Sequence, residues 1–244
     1  MNTIHHIANI KSIYRYPIKS MGGEELETAE LRWHGIDGDR RYAFVRPGHM
    51  SGVPWLIASK LADLVTYRAR IVETKPDGLP TVRVQTPDSL DLAVDSEELR
   101  RHISAKYGSD VTVMGINNGI FDDSPISVIS TTTINKVEAE SGRTLDPRRF
   151  RPNILIEPVG GAPVDESSWI GKTVYFGNNA QSPAVLITIH DIRCSMVNLD
   201  PETAAKDPRV LKTIAESHNT CAGVYATVLK IGTLSVGEGV YMEE

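Results

Sequence analysis

Hydrophobic and polar residues alternate in short runs through the N-terminal third of the chain, and glycine and proline cut one run from the next. That pattern predicts strands joined by turns. Ile10-Lys11-Ser12-Ile13-Tyr14-Arg15-Tyr16 follows a period of two and stops at Pro17, which cannot donate to a strand ladder. Residues 27–33 form the next run and pass into His34-Gly35-Ile36-Asp37-Gly38-Asp39, a turn-rich stretch. Tyr42-Ala43-Phe44-Val45 follows, closed by Pro47-Gly48. Residues 64–73 and 81–86 flank Lys75-Pro76-Asp77-Gly78-Leu79-Pro80 and predict a hairpin with a long loop.

Beyond residue 95 the period changes. Residues 97–107 predict a short helix with Leu99, Ile103 and Tyr107 on one stripe. Pro125-Ile126-Ser127-Val128-Ile129 predicts a strand that enters a helix at Ser130-Thr131-Thr132. Ile134, Val137 and Ala139 supply that helix with an apolar side, and Gly142 supplies its stop. Residues 154–156 and 172–176 predict further strands, and the aliphatic run 184–189 predicts the most deeply buried one. Asp207-Pro208 predicts a cap and first turn for a helix burying Val210, Leu211, Ile214 and Ala215. Residues 225–241 return to strand alternation around Gly232 and Gly237. The sum is an α+β, mainly β chain: a barrel or sandwich of short strands with a few peripheral helices, changing pattern between residues 95 and 120 without a flexible linker.

Composition narrows the class. The 244 residues are 41% hydrophobic and 23% charged, ordinary globular usage that supports a real core. Lys plus Arg number 26 against 31 Asp plus Glu, a formal charge of −5, which argues against a general nucleic-acid binder. The two cysteines, Cys194 and Cys221, cannot build a disulfide framework, a zinc ribbon or a four-cysteine cluster, and they suit a reducing compartment. No stretch approaches the ~20 apolar residues of a transmembrane helix, and the first residues lack a signal-peptide core. The expectation is a soluble, cytoplasmic protein.

The common signatures of nucleotide, dinucleotide, zincin and hydrolase sites are absent. What remains is a cysteine and a set of basic residues at strand ends. Cys194 follows an apolar strand and Arg193; a thiol beside that charge suits a nucleophile or a soft-metal ligand, and the alternative is an inert, buried small side chain. His190, four residues earlier, offers a weak hint of a base. Asp146-Pro147-Arg148-Arg149-Phe150-Arg151-Pro152-Asn153 carries three arginines before a strand, either a phosphate or carboxylate fork or a solvated basic turn. Pro152 predicts an extended Arg151. Lys19 and Ser20 lie in Tyr16-Pro17-Ile18-Lys19-Ser20-Met21-Gly22-Gly23, Asp39-Arg40-Arg41 begins another strand, and Ser130-Thr131 caps a helix whose first amides favour anions. Each has a bland alternative: a surface turn, a salt-bridged arginine, a routine cap. Cys221 reads as packing or a loop thiol, and Trp33, Trp55 and Trp169 as core or subdomain contacts.

The order of these motifs carries more than any one of them. Tyr16-Pro17-Ile18-Lys19-Ser20, then Asp39-Arg40, then Phe150-Arg151-Pro152-Asn153, then Arg193-Cys194 resembles the MOSC proteins, relatives of the C-terminal domain of molybdenum cofactor sulfurase. Gly223-Val224-Tyr225 and residues 231–241 resemble that family's closing strands. The resemblance implies a MOSC-type β-barrel over residues 111–244, preceded by an N-terminal β-barrel region over 1–110. Its functional side is similar to the mitochondrial amidoxime reducing component and its bacterial counterparts. It implies molybdenum–molybdopterin as cofactor, Cys194 as catalytic residue and metal ligand, and a small N-hydroxylated or otherwise N-oxygenated compound as substrate. Lys19, Ser20, Arg40, Arg151 and Asn153 match cofactor-holding positions, with Arg193, Tyr225 and the Ser130-Thr131 cap alongside. Ile192 departs from the small or polar residue of the reductases. With no ferredoxin-like domain expected, electrons would come from a separate reductase or a flavodoxin- or ferredoxin-like donor. The family also permits a different class of function, a cofactor carrier or a sulfur relay through a Cys194 persulfide.

Overall fold

The computed structural model describes residues 4–48, 54–75, 78–161 and 163–243. Pro76 and Asp77, in the expected hairpin loop, lie outside them. The N-terminal stretch forms β1 (Ile4–Arg15), β2 (Glu24–Leu26), β3 (Thr28–Arg32), β4 (Gly35–Ile36) and β5 (Tyr42–Val45). A sheet of β6 (Arg68–Glu73), β7 (Thr81–Gln85) and β8 (Asp91–Ala93) follows, then helix α1 (Glu97–Tyr107) and β9 (Thr112–Gly115). The remainder holds β10 (Ile126–Ser130), α2 (Thr131–Ser141), β11 (Ile154–Pro158), β12 (Thr173–Phe176), β13 (Ala184–Ile192), α3 (Arg209–Ser217), β14 (Cys221–Lys230), β15 (Gly232–Ser235) and β16 (Gly239–Glu243).

Eight strands form one sheet in the order β11-β10-β14-β13-β12-β16-β1-β2, and pairing of β11 with β1 closes the first seven into a barrel. Closure leaves no edge among those seven strands. Neighbours are antiparallel except β10 and β11, whose parallel pairing requires a crossover, supplied by α2 and the turn after it. The chain leaves this sheet after β2 and returns at β10, building β5–β9, β6-β7-β8 and α1 in between.

The strand-and-helix reading of the sequence is matched in type: the molecule is mainly β with three helices among the described residues. The caps are the expected ones. Ser130 Oγ accepts from the Thr133 amide at 3.0 Å, and Gly142 ends α2 in the left-handed conformation. In α3 the first residue falls one position late, at Arg209, although Asp207 Oδ1 still accepts from the Arg209 amide at 3.2 Å. Ala139 and Ala215, expected on apolar faces, are exposed; Ile134 and Val137, and Val210 and Ile214, carry the burial.

Two expectations about strands fail for one reason. A bulge between Ile10 and Ser12 breaks the simple alternation of β1, so that Ile10 and Ile13 both enter the barrel core. Register shifts in β13 likewise interrupt its pairing with β14, and Ile189 is exposed where continuous burial is expected. The barrel interior is filled by residues such as Ile10, Val128, Ile156, Phe176, Ile187 and Val224. A second core of Phe44, Tyr67, Val84, Leu99 and Ile103 joins α1 to the small sheets. A third seats α2 and α3 on the outside of the barrel through Val137, Phe150, Leu155 and Ile214. Trp169 belongs to the barrel core, Trp55 is half-buried, and Trp33 is 61% exposed, contrary to its expected role as a packing contact.

Candidate functional site

A cavity of about 380 Å³ lies where the turn after β1, the turn before β11 and the end of β13 converge. Lys19, Ser20, Arg40 and Arg151 line it together with Arg193, Cys194 and Tyr225. These residues are far apart in sequence, and backbone pairing brings them together. The Lys19 amide donates to the Tyr42 carbonyl at 2.8 Å and the Arg40 amide to the Tyr16 carbonyl at 2.7 Å, tying the first two turns to each other. Tyr225 lies on β14, and Cys194 follows the end of the adjacent strand β13, two residues beyond Ile192.

Three of the lining residues hold positive φ without being glycine: Ser20 at 67°, Arg40 at 50° and Arg151 at 49°. Side chains rarely adopt that region, and such outliers gather where a turn is dictated by its surroundings. Arg151 closes the 3₁₀ turn Pro147–Phe150 in this conformation, which corrects the extended geometry expected before Pro152. Proline favours extended backbone at the residue before it, so the left-handed Arg151 is held by its surroundings, its amide donating to the Arg148 carbonyl at 3.1 Å.

The basic groups are deeply set. Lys19 is 6% exposed, and its ammonium donates to Asp122 Oδ1 at 2.8 Å and to the Ile120 carbonyl at 3.1 Å. Burial pushes its pKa down, with Asp122 opposing. Arg40 donates to Asp39, and also to Asn153 Oδ1 and the Arg151 carbonyl, both at 3.3 Å. Arg40 and Arg151 both lie over the Tyr16 ring, with guanidinium carbons 5.3 and 4.1 Å from its centroid. Arg151 donates to the Met21 carbonyl at 2.6 Å and has no ion-pair partner among the described residues, and burial pulls its pKa down to about 10.

The cavity lining also includes a polar cluster around Asp191, which is 2% exposed. Asp191 Oδ2 accepts from Ser127 Oγ at 2.9 Å and pairs with Arg193 at 2.8 Å. Burial pushes the Asp191 pKa up against these partners. Arg193 also donates to the Phe150 carbonyl at 2.6 Å and the Ala222 carbonyl at 2.7 Å, so its guanidinium is pinned. Tyr225 is kept a neutral phenol by burial and by the Asp191 carboxylate.

Not every predicted residue reaches this cavity. Cys194 does, as an exposed thiol at its mouth beside Ile192, which is 69% exposed. Asn153 does not line it; fully buried, it donates to Asp39 at 3.1 Å and accepts from Arg40, and so holds the arginine from behind. Ser130 is also fully buried, and its amide and hydroxyl donate to Glu166 at 3.0 and 2.7 Å. A carboxylate therefore occupies the start of α2, where an anion is expected, and Thr131 begins the helix there. The adjoining residues Thr132 and Thr133 line a separate cavity, which also takes His190 and Cys221. His190 and Cys194 thus line different cavities. Asp39, Asp122 and Asp191 are missing from the sequence-based site. Asp191 was within reach of sequence reasoning, because residues two apart on a strand share a face and its neighbour at that spacing is Arg193.

Known proteins place this architecture. The MOSC domain model matches residues 102–241, and the MOSC N-terminal beta barrel domain model matches residues 7–119. The chain belongs to the MOSC family, which is associated with molybdenum cofactor binding. Among curated relatives it is 22% identical to mitochondrial amidoxime reducing component 2 of Bos taurus, covering 98% of this chain and 84% of that one. Among solved structures the YuaD protein from Bacillus subtilis superposes with a TM-score of 0.55 at 15% identity, covering 100% and 99% of the two chains.

Proposed function

We propose that the chain is a molybdenum-cofactor oxidoreductase that reduces N-hydroxylated or other N-oxygenated compounds. The observation that carries this reading is the single cavity in which five basic side chains (Lys19, Arg40, Arg149, Arg151 and Arg193), a neutral phenol and an exposed cysteine converge. The donor set fits the cofactor. Among the described residues no group of three His, Cys, Asp or Glu side chains is placed to hold a metal ion. One thiolate therefore suits a metal whose other soft ligands arrive with the cofactor. Arg151, buried without a carboxylate partner among the described residues, fits a phosphorylated ligand.

In this reading Lys19, Ser20, Arg40 and Arg151 hold the cofactor and Cys194 ligates its metal. When bound, the cofactor supplies two-electron redox chemistry and accepts an oxygen atom. Converting an N-hydroxyl group to an amine consumes two electrons and two protons and releases water. The electrons come from a separate reductase or a flavodoxin- or ferredoxin-like protein. The chain's own part is positional. Arg193, fixed by two carbonyls and Asp191, anchors the turn that presents Cys194, and its amide donates to the Thr220 carbonyl at 2.8 Å. Tyr225 retains its proton on Oη, which donates to the Asp191 carboxylate and so fixes the ring at the cavity wall.

Metal analysis and pterin fluorescence of protein made in a cofactor-competent host test the assignment. Wild type is expected to carry both, and Cys194→Ala to keep its fold and lose molybdenum together with N-reductive activity. Molybdenum retained in full by the variant would remove Cys194 as ligand. The exposure of Cys194 supports a second reading, a carrier or a sulfur relay. Bound molybdenum without turnover of any N-oxygenated compound favours the carrier, and a Cys194 persulfide without molybdenum favours the relay.

A further inference from the structure

The cations of the cavity differ in how their counter-charges are held. Arg40 pairs with Asp39 and Arg193 with Asp191, and both carboxylates are buried. Lys19 is as deeply set as these arginines, but its partner is not. The Asp122 side chain is 74% exposed, lines the cavity and meets the Lys19 ammonium at 2.8 Å. An ion pair with one buried and one exposed member is asymmetric. The carboxylate regains its hydration on leaving, whereas the ammonium left behind requires another anion.

The backbone around Asp122 is fastened on one side. The Ile116 amide donates to the Arg41 carbonyl and the Ile120 amide to the Arg40 carbonyl, both at 2.8 Å, and the Ile120 carbonyl accepts from Lys19 at 3.1 Å. Residues 121–124 form no helix or strand, and among the described residues their hydrogen bond to the rest of the fold is the one Asp122 accepts from Lys19. The Phe121 ring packs against Gly119, within the same loop. Burial opposes the charge on Asp122, but Lys19, Arg40 and Arg151 together hold its pKa below the ordinary value. The loop thus places an ionised carboxylate among the cations to which an anionic ligand would bind.

We propose that Asp122 is an exchangeable counter-ion: it holds the charge of Lys19 until an anionic ligand replaces it, and then swings out with residues 121–124. The exchange makes Asp122 a determinant of selectivity. Every ligand must outcompete the carboxylate, so an anion that meets Lys19 alone gains little, and one whose charge also meets Arg40 and Arg151 gains more. The inference rests on the reading above only in taking the ligand of Lys19 to be an anion, and it requires neither the metal nor a reaction.

Calorimetric titration of inorganic phosphate into cofactor-free protein tests the exchange as a double-mutant cycle. Asp122→Asn keeps the shape of the side chain and an oxygen for Lys19 but loses the charge. It is expected to bind phosphate about fivefold more tightly than wild type, the scale of a half-exposed ion pair. In a Lys19→Met background the same change is expected to alter affinity less than about twofold, or to restore no binding where none is left. Weaker binding by Asp122→Asn overturns the proposal, because Asp122 then positions Lys19 instead of competing for it. An equal gain in both backgrounds overturns it too, since the carboxylate then acts by general repulsion. So does the absence of binding by wild type and Asp122→Asn up to about 10 mM phosphate, far weaker than any specific site. The movement has its own readout. Chymotryptic cleavage after Phe121 is expected to accelerate when wild type is saturated with phosphate, and Asp122→Asn to be cut faster than wild type even without it. A wild-type rate unchanged by phosphate overturns the displacement. None of these measurements involves molybdenum, so their failure leaves the Cys194 assignment to the metal analysis described above.

Discussion

Asp39 accepts from the Tyr16 amide at 2.7 Å, from Asn153 at 3.1 Å and from Arg40, and it is 0% exposed. A carboxylate so placed sets the positions of both Arg40 and Asn153. Its removal leaves a mostly buried guanidinium short of its counter-charge, a loss of the ~3–5 kcal/mol class. Urea unfolding of Asp39→Ala is expected to show that drop, and a loss under about 1 kcal/mol would show the pair to be dispensable. At this scale the sequence reveals chemistry better than placement. The residue types of the cavity were legible because cations beside strand ends suit phosphate, and the order of motifs pointed to Cys194. The roles of Asn153 and Ser130 were not. A buried asparagine that orients an arginine and one that touches a ligand are the same letter, and only the partner at the other end of the hydrogen bond tells them apart. Glu166, which fills the start of α2, lies far from Ser130 in sequence, and no local pattern announces it.

Among the elements, the β6-β7-β8 sheet carries a pH-sensitive clamp. Asp91 takes hydrogen bonds from Arg70 at 2.9 and 3.1 Å and from Arg83 at 2.7 Å, and these partners pull its pKa down to about 2. A carboxyl whose folded pKa is depressed stabilises the fold above its ordinary value, and that contribution is lost as pH falls toward the folded value. Asp91→Asn is therefore expected to melt below wild type at pH 7, with the gap closing between about pH 4 and pH 2. A gap that stayed constant across that window would locate the effect elsewhere than in the charge. Because the clamp is exposed, the difference is expected to be small and to shrink with salt. Elements themselves were well marked in the sequence where a cap, a period and a stop coincide, as in α2 with Ser130, Ile134, Val137 and Gly142. Bulges were not marked. An extra residue in β1 or β13 has no composition of its own, and its effect on register depends on a strand distant in sequence.

Over the whole molecule, the barrel and the smaller sheets are joined through β1. That strand pairs with β11, β16 and β2, and the turn that follows it enters the second core through Ile18 and Met21. Stability in one core is thereby transmitted to the other. Phe176, fully buried in the barrel, is expected to cost ~3–5 kcal/mol on replacement by alanine. Amide exchange is expected to accelerate in β7 as well as in β13; protection kept in β7 alone would show two independent units. The mainly β class was readable from turn spacing, while barrel closure was not, because it rests on the pairing of β1 with β11 across most of the chain.

That pairing has a consequence for how the protein is made. A ribosome releases β1 well before its partners β11 and β16, which are among the later strands to emerge. Throughout that interval the strand offers Ile10 and Ile13 and an unpaired backbone to any other chain nearby. Correct synthesis is thus a race between translation and association, and slow translation of the middle segments lengthens the time during which the nascent chain needs a chaperone.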